Sequence, residues 1–298
     1  MNSINGIILL NKPYGISSNK ALQKTKHLIG EKKAGHTGSL DPLATGMLPL
    51  CFGEATKVCK FLLNAKKKYR VVAQFGGSTS TGDLEGGITK ASEVYSLSEQ
   101  EWGKILKQFE GEIEQIPPMY SALKKNGGRL YKYAREGRVV ERDGRLIKIF
   151  SITLNKVTRD SIDITVDCSK GTYIRVLVEE IARAAGMEAH TSYLHRLQIG
   201  SLEESRMIGL EELESTYQSD RKSFLRYILP VDSVLMDFPE INLTLAQVKK
   251  FINGQSLAIN ESIRTLHRIY NPEKKFIGIG EIYEGKLLAP RRIFHLTS

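Results

Sequence analysis

The residues best suited to chemistry lie in one short stretch. Gly35-His36-Thr37-Gly38-Ser39-Leu40-Asp41-Pro42 runs on through Leu43-Ala44-Thr45-Gly46-Met47-Leu48-Pro49. Pro42 has no N–H and restricts the residue before it to extended backbone. Asp41 is therefore presented on a stiffened turn. A carboxylate held there can act as a base or as a nucleophile. An isolated Asp-Pro is an ordinary turn, and it is the long Gly- and Pro-rich pattern around it that singles this one out.

The elements that must position Asp41 can be read from periodicity. Gly6 to Leu10 predicts a buried strand ending at Lys12-Pro13. Ser17 or Ser18 can cap a helix that carries Leu22, Leu28 and Ile29 and stops at Gly30. Lys32 to Gly53 is expected to be mostly loop, pinned to the core by Leu40, Leu43, Met47 and Leu48. Tyr69 to Phe75 predicts a strand. Ser98 with Glu101 is a capping box ahead of Trp102, Ile105, Leu106 and Phe109 at helical spacing. Ile162, Ile164, Val166 and Cys168 alternate with polar residues, as in a half-buried strand. A helix bearing Ile174, Leu177, Val178 and Ile181 follows and closes at Gly186. Glu211 to Arg226 has the composition of a linker. A small unit then begins near Ile241, with a Thr244-capped helix and two strands, Phe276 to Tyr283 and Leu287 to Phe294, around a turn at Glu284-Gly285.

The bulk composition points to a polyanionic partner. The 298 residues include 43 Lys and Arg against 33 Asp and Glu, a net charge of +10. Such a surplus suits nucleic acid or an anionic membrane. Between Pro117 and Lys148 the chain is densely basic, with Lys124, Lys125, Arg129, Lys132, Arg135 and Arg138 interleaved with Tyr120, Tyr131 and Tyr133. This segment is expected to be a hairpin or flap inserted into the main domain. Lys and Arg neutralise phosphates, and Tyr rings stack on unpaired bases.

Other classes find no support. Cys51, Cys59 and Cys168 lack disulfide-framework and zinc-ligand spacing. No apolar run approaches the ~18 residues of a membrane span. The start of the chain lacks the basic region of a signal peptide, so a cytoplasmic protein is expected. P-loop and dinucleotide fingerprints are absent.

The pattern G-H-x-G-x-L-D-P-x-A-x-G-x-L-P resembles the signature of the TruB-type tRNA pseudouridine-55 synthases. The resemblance continues in order along the chain. Lys67-Lys68-Tyr69 is similar to the family's Lys-x-Tyr at a strand start. Phe75-Gly76 with Thr79, Thr81, Asp83 and Gly86 resembles L-G-x-x-T-x-T-x-D-x-x-G. Ile116-Pro117-Pro118-Met119-Tyr120-Ser121-Ala122-Leu123-Lys124 resembles I-P-P-x-Y-S-A-L-K. Cys168-Ser169-Lys170-Gly171-Thr172-Tyr173-Ile174-Arg175 resembles C-S-K-G-T-Y-I-R. A departure occurs at Leu194-His195-Arg196-Leu197, where the family usually has L-R-R-T, so Arg196 matches the pattern and His195 does not.

The resemblance implies a mixed α/β (α+β) fold, with a largely antiparallel sheet flanked by helices. It implies a catalytic domain over residues 1–230, with the basic flap at about 117–148 as a thumb. A small β-rich PUA-like RNA-binding domain would span 231–298. Asp41 would be the catalytic carboxylate, paired with Arg175. Tyr69 would stack on the target base and Tyr173 would pack beside it. His36 would fill the place of a flipped uridine, and Asp83 would contact RNA or base. Lys12 and Tyr120 would line the pocket, while Lys124, Arg129 and Arg196 would bind RNA. The implied reaction is isomerisation of uridine to pseudouridine at position 55 of the tRNA T-arm. Neither metal, cofactor nor obligate protein partner is implied. Two other readings are the catalytic subunit of a guide-RNA particle, and an RNA-folding protein in which catalysis is secondary.

Overall fold

The computed structural model describes residues 4–260, 265–284 and 286–296. Its centre is a ten-stranded sheet. The strand order is Ile208–Gly209, Gly6–Lys12, Thr45–Phe52, Ala189–Ile199, Lys67–Phe75, Ser161–Cys168, Arg145–Val157 and Gly111–Gln115. Ile228–Leu229 adds to Gly6–Lys12, and Ala34–His36 adds to Thr45–Phe52. Only two of these pairings are parallel. The expected mixed fold with a largely antiparallel sheet is what the chain forms.

Local chemistry explains most elements. Ser161–Cys168 alternates half-buried and buried side chains along its length, as its period-two pattern requires. Glu99–Lys107 has a complete Ser98–Glu101 capping box, and its Trp102 stacks on Phe75 with ring centroids 5.2 Å apart. Ser18–Ile29 is capped by the Ser17 side chain and ends at Gly30 in the left-handed conformation, φ 72°.

Two expectations need correction. Lys32 to Gly53 is not mostly loop: Thr45–Phe52 is a central strand in which Met47, Leu48, Leu50, Cys51 and Phe52 are fully buried. Gly46 and Pro49 obscure its strand character. Gly46 is required where the strand meets Arg196, because a Cβ there would lie 2.5 Å from the Arg196 carbonyl oxygen and φ is +97°. Glu211 to Arg226 is not a linker either. It forms helices Leu210–Ser219 and Arg221–Leu225. Leu210, Leu213 and Phe224 are buried against Ile8, Leu22 and Leu48, and the acidic composition hides that apolar stripe.

The C-terminal part forms a five-stranded sheet from Glu240–Asn242, Leu266–Tyr270, Phe276–Tyr283, Leu287–Ile293 and Leu257–Ala258. Helix Leu245–Ile252 packs on it, with a Thr244–Gln247 capping box. Gly285, in the expected turn, lies outside the described residues. Tyr270, Phe276, Ile279 and Phe294 share one buried cluster with Ile7, Leu9, Met47 and Leu62 of the large domain.

The basic segment replaces a hairpin turn. Gly111–Gln115 and Arg145–Val157 are adjacent antiparallel strands with Gln115 opposite Arg145. Residues 116–144 leave and return between them. They hold a two-stranded ladder, Lys124–Lys125 with Gly128–Arg129, and the helix Leu130–Arg135. The ladder turns on Asn126 and Gly127, at φ 51° and 80°, the Asn-Gly pair that tight hairpins favour.

Candidate active site

Asp41 lies on the floor of a cavity of about 810 Å³. The floor is built from the Asp41-Pro42 turn, the Thr81–Glu85 loop and the first turn of helix Ile174–Ala184. Arg129, Tyr131, Lys132 and Arg135 of the basic segment overhang it. Six expected site residues line this space together: His36, Asp41, Asp83, Tyr120, Arg129 and Arg175.

Arg175 organises the floor. Its side chain is only 6% exposed, and its Nε lies 2.9 Å from the Asp41 Oδ2. Its Nη1 reaches the Asp83 Oδ2 at 3.5 Å and also donates to the Thr81 carbonyl. Its Nη2 donates to the Tyr120 carbonyl at 2.9 Å. One buried guanidinium thus ties together three segments far apart in sequence. Its planar fork with several fixed donors suits that task.

Asp83 is itself fixed. It accepts from the Thr81 hydroxyl at 2.5 Å and from the Glu85 N–H at 3.0 Å. Asp41 is less enclosed, and 42% of its side chain is open, toward the cavity. Withdrawal from bulk water raises its pKa above the usual 3.8; Arg175 pulls the other way and the Asp83 charge adds to the rise. Arg175 holds the ionised form in place with a charge-assisted hydrogen bond.

Beneath the cavity two charged residues are wholly buried. Lys12 is 0% exposed, and its Nζ donates to the carbonyls of Pro13, Ile16 and Pro42 at 2.8, 2.7 and 3.1 Å. Burial lowers its pKa to about 8, with nearby Asp41 opposing the shift. Arg196 is 1% exposed and donates to the Met47 and Gly38 carbonyls at 2.7 and 2.8 Å. Both bind main-chain oxygens of the loops that carry Asp41 and His36. Neither shows its charge to the cavity, so the structure places them apart from the direct pocket and RNA contacts expected of them. Charged residues are almost never fully buried without a partner, and here main-chain carbonyls are the partners.

Tyr69 stands outside the cavity lining. It is half-buried on strand Lys67–Phe75, directly opposite Arg196. Burial raises its phenol pKa above 10, and Arg196 opposes the rise. Tyr173 is the residue before helix Ile174–Ala184; its N–H donates to the Gln115 side chain at 2.7 Å, and its carbonyl accepts from that side chain at 3.2 Å. Lys124 is exposed on the flap's ladder and does not line the cavity. His36 sits at the rim on strand Ala34–His36, opposite Leu50. Burial lowers its pKa, and the Arg196 charge adds to this. His195 bridges the Thr45 hydroxyl, at 2.7 Å, and Glu204, at 3.1 Å.

The residues that sequence reasoning missed are Gln115, which fixes Tyr173, and Glu85, which lines the cavity two residues beyond Asp83. Proximity to Asp83 in the matched pattern is the available signal for Glu85. Gln115 carries none, because its role depends on a partner 58 residues away.

The architecture has solved counterparts. A structure of an H/ACA RNP bound to a substrate RNA containing 2'-deoxyuridine aligns over 98% of this chain and 85% of that one, with TM-score 0.75 and 23% identity. A Cbf5-Nop10-Gar1 complex aligns over 97% and 85%, with TM-score 0.76 and 24% identity. That likeness is one of fold.

Residues 26–174 match the TruB family pseudouridylate synthase N-terminal domain. Residues 175–236 match the tRNA pseudouridylate synthase B C-terminal domain, and 239–294 the C-terminal domain of pseudouridine synthase II TruB. The tRNA pseudouridine synthase B of Ectopseudomonas mendocina is 46% identical over 98% of this chain and 96% of that protein. That of Nitrosococcus oceani is 45% identical over 99% and 96%. The chain belongs to the TruB family of pseudouridylate synthases. No helix among the described residues is long and apolar enough to cross a membrane.

Proposed function

We propose that this chain isomerises uridine to pseudouridine at position 55 in the T-loop of tRNA, with Asp41 as the catalytic carboxylate. The supporting observation is the 2.9 Å contact between Asp41 and buried Arg175 on the floor of a cavity overhung by the basic segment. The reaction breaks the bond from the sugar to N1 of uracil, turns the base, and rejoins it through C5. The product has the same atoms as the substrate, so the chemistry calls for no electron carrier.

The target base must leave its stack to reach Asp41, which costs a few kcal/mol. His36, which lines the cavity, takes up the space the base vacates in this reading. Arg129, Lys132 and Arg135 supply cations above the cavity for the backbone, and Tyr120 and Tyr131 offer ring faces. Arg175 and Asp83 orient the Asp41 carboxylate. That carboxylate adds to the ring or sugar as a nucleophile, or removes a sugar proton as a base. Tyr69 lies close enough to feel the Asp41 charge, and its proposed part is stacking on the base during the C5 proton transfer. Lys12 and Arg196 act as positioning residues through the loop carbonyls they bind. Residues 1–230 form the catalytic domain and 231–298 the small RNA-binding one. A tRNA substrate places the work in the cytoplasm.

The test is pseudouridine mapping on a bare T-arm stem-loop incubated with the purified chain. Product at the position equivalent to 55, lost in Asp41→Asn, supports the reading. Activity appearing only with added guide RNA and partner proteins would overturn the standalone form of it.

A further inference from the structure

We infer that the exposed face of helix Ser18–Ile29 is an RNA track, which holds tRNA backbone phosphates as they leave the cavity. This rests on the tRNA reading above. Ser17, Ser18 and Asn19 form part of the cavity wall, so the helix starts at the site and runs away from it. Lys20 and Lys24 follow on its exposed side, one turn apart. A turn is ~5.4 Å of axis, so the two charges continue outward from the wall.

Three observations separate this face from an ordinary solvated one. First, no Asp or Glu occurs between Met1 and Gly30, and among the described residues neither Lys20 nor Lys24 is in an ion pair. The nearest acidic helix, Leu210–Ser219, packs through Leu210 and Leu213 on the buried side, against Ala21 and Leu22. Second, Lys26 and His27 lie in the last turn, where the helix dipole favours cations, so they need no functional explanation. Third, Lys20 has no such explanation. It occupies the third helical position, where its N–H donates to the Ser17 side chain. Two other helices begun by a Ser or Thr cap carry Glu101 and Gln247 at that position and complete a capping box. Lysine there forgoes the box and places positive charge at the positive end of the dipole. The choice works against the helix and in favour of an anion passing alongside it.

The test compares the double variant Lys20→Gln/Lys24→Gln with wild type in binding a T-arm stem-loop across a salt series. Removing two phosphate partners should lower the slope of log Kd against log salt by about 1.4–1.8. The accompanying fall in activity should appear in KM rather than kcat. A glutamine at the third helical position can complete a capping box with Ser17, so the melting temperature should hold or rise. That readout separates weakened RNA binding from damaged folding. An unchanged slope overturns the track. So does an equal effect in a control pair, Lys104→Gln/Lys107→Gln, on helix Glu99–Lys107. Failure of the wild-type chain to form pseudouridine would instead sink the functional reading, because the binding slopes are read without turnover.

Discussion

The floor of the cavity and the flap above it are held by opposite means. Beneath Asp41, buried Lys12, Arg175 and Arg196 each bind two or more main-chain carbonyls, so three loops are fixed from inside the protein. The flap has a two-stranded ladder, a six-residue helix and few buried apolar residues, Pro117 and Leu130. Its side-chain polar ties are few: Arg142 to the Pro117 carbonyl at 3.2 Å, Tyr133 to the Asn126 carbonyl at 3.0 Å, the Lys125–Asp143 and Arg138–Glu136 pairs, and, at its base, the Arg175 bond to the Tyr120 carbonyl at 2.9 Å. Bond rearrangement needs a carboxylate held to a fraction of an ångström. A covering element must admit a bulky polyanion and then hold it. Rigidity and charge are therefore assigned to separate parts of the chain.

The largest expected effect breaks the floor's chemistry without its structure. Asp41→Asn should lower the rate by about 10²–10⁴-fold while tRNA affinity stays within about tenfold, because phosphate contacts dominate binding; ordinary turnover would reject Asp41 as the catalytic group. Next, Arg196→Ala should cost about 3 kcal/mol or more in chemical denaturation, since it leaves the Met47 and Gly38 carbonyls unpaired and a cavity in the core. A flap substitution of similar size, Arg135→Ala, should leave the midpoint almost unmoved. If the two cost the same, the contrast between floor and flap is wrong.

The pH profile sharpens the contrast. Catalysis by ionised Asp41 falls as pH drops through its pKa, and burial has raised that pKa above 3.8. Asp83 adds to the rise and Arg175 opposes it. The acid limb of the rate should therefore move to lower pH in Asp83→Asn and to higher pH in Arg175→Gln. Shifts of the reverse sign would show that another group governs the limb. The smallest expected change concerns the flap. Neutralising Lys124, Lys125 and Arg129 should weaken RNA binding and flatten its salt dependence by about 0.7–0.9 for each phosphate left without its cation. The change should be nearer that of two phosphates than three, since Asp143 already engages Lys125. Melting temperature should be unaffected.

Much of this is legible in the sequence, and what is not has identifiable physical causes. The Asp41 turn, the capping boxes at Ser98 and Thr244, and the alternation over Ser161–Cys168 are local signals, and each forms as local rules require. Thr45–Phe52 is hidden because Gly46 and Pro49 suit a strand only beside the particular neighbours they meet there. Helix Leu210–Ser219 is hidden because its glutamates outweigh a narrow apolar stripe. The burial of Lys12 and Arg196 has no local signature. Their partners are carbonyls of loops whose positions exist only once the chain has folded. The basic segment, expected to be a hairpin or flap, does contain a short ladder, closed by the Asn126-Gly127 turn.

The register between Gln115 and Arg145 also bears on how such an enzyme can diversify. Both ends of the flap leave and rejoin the sheet as neighbours in one ladder, so the intervening residues close a loop whose entropy grows only slowly with length. The segment behaves as a cassette. Lineages can lengthen it, shorten it or exchange its charges to suit different RNA shapes, while the strands on either side keep their pairing and the core is not redesigned.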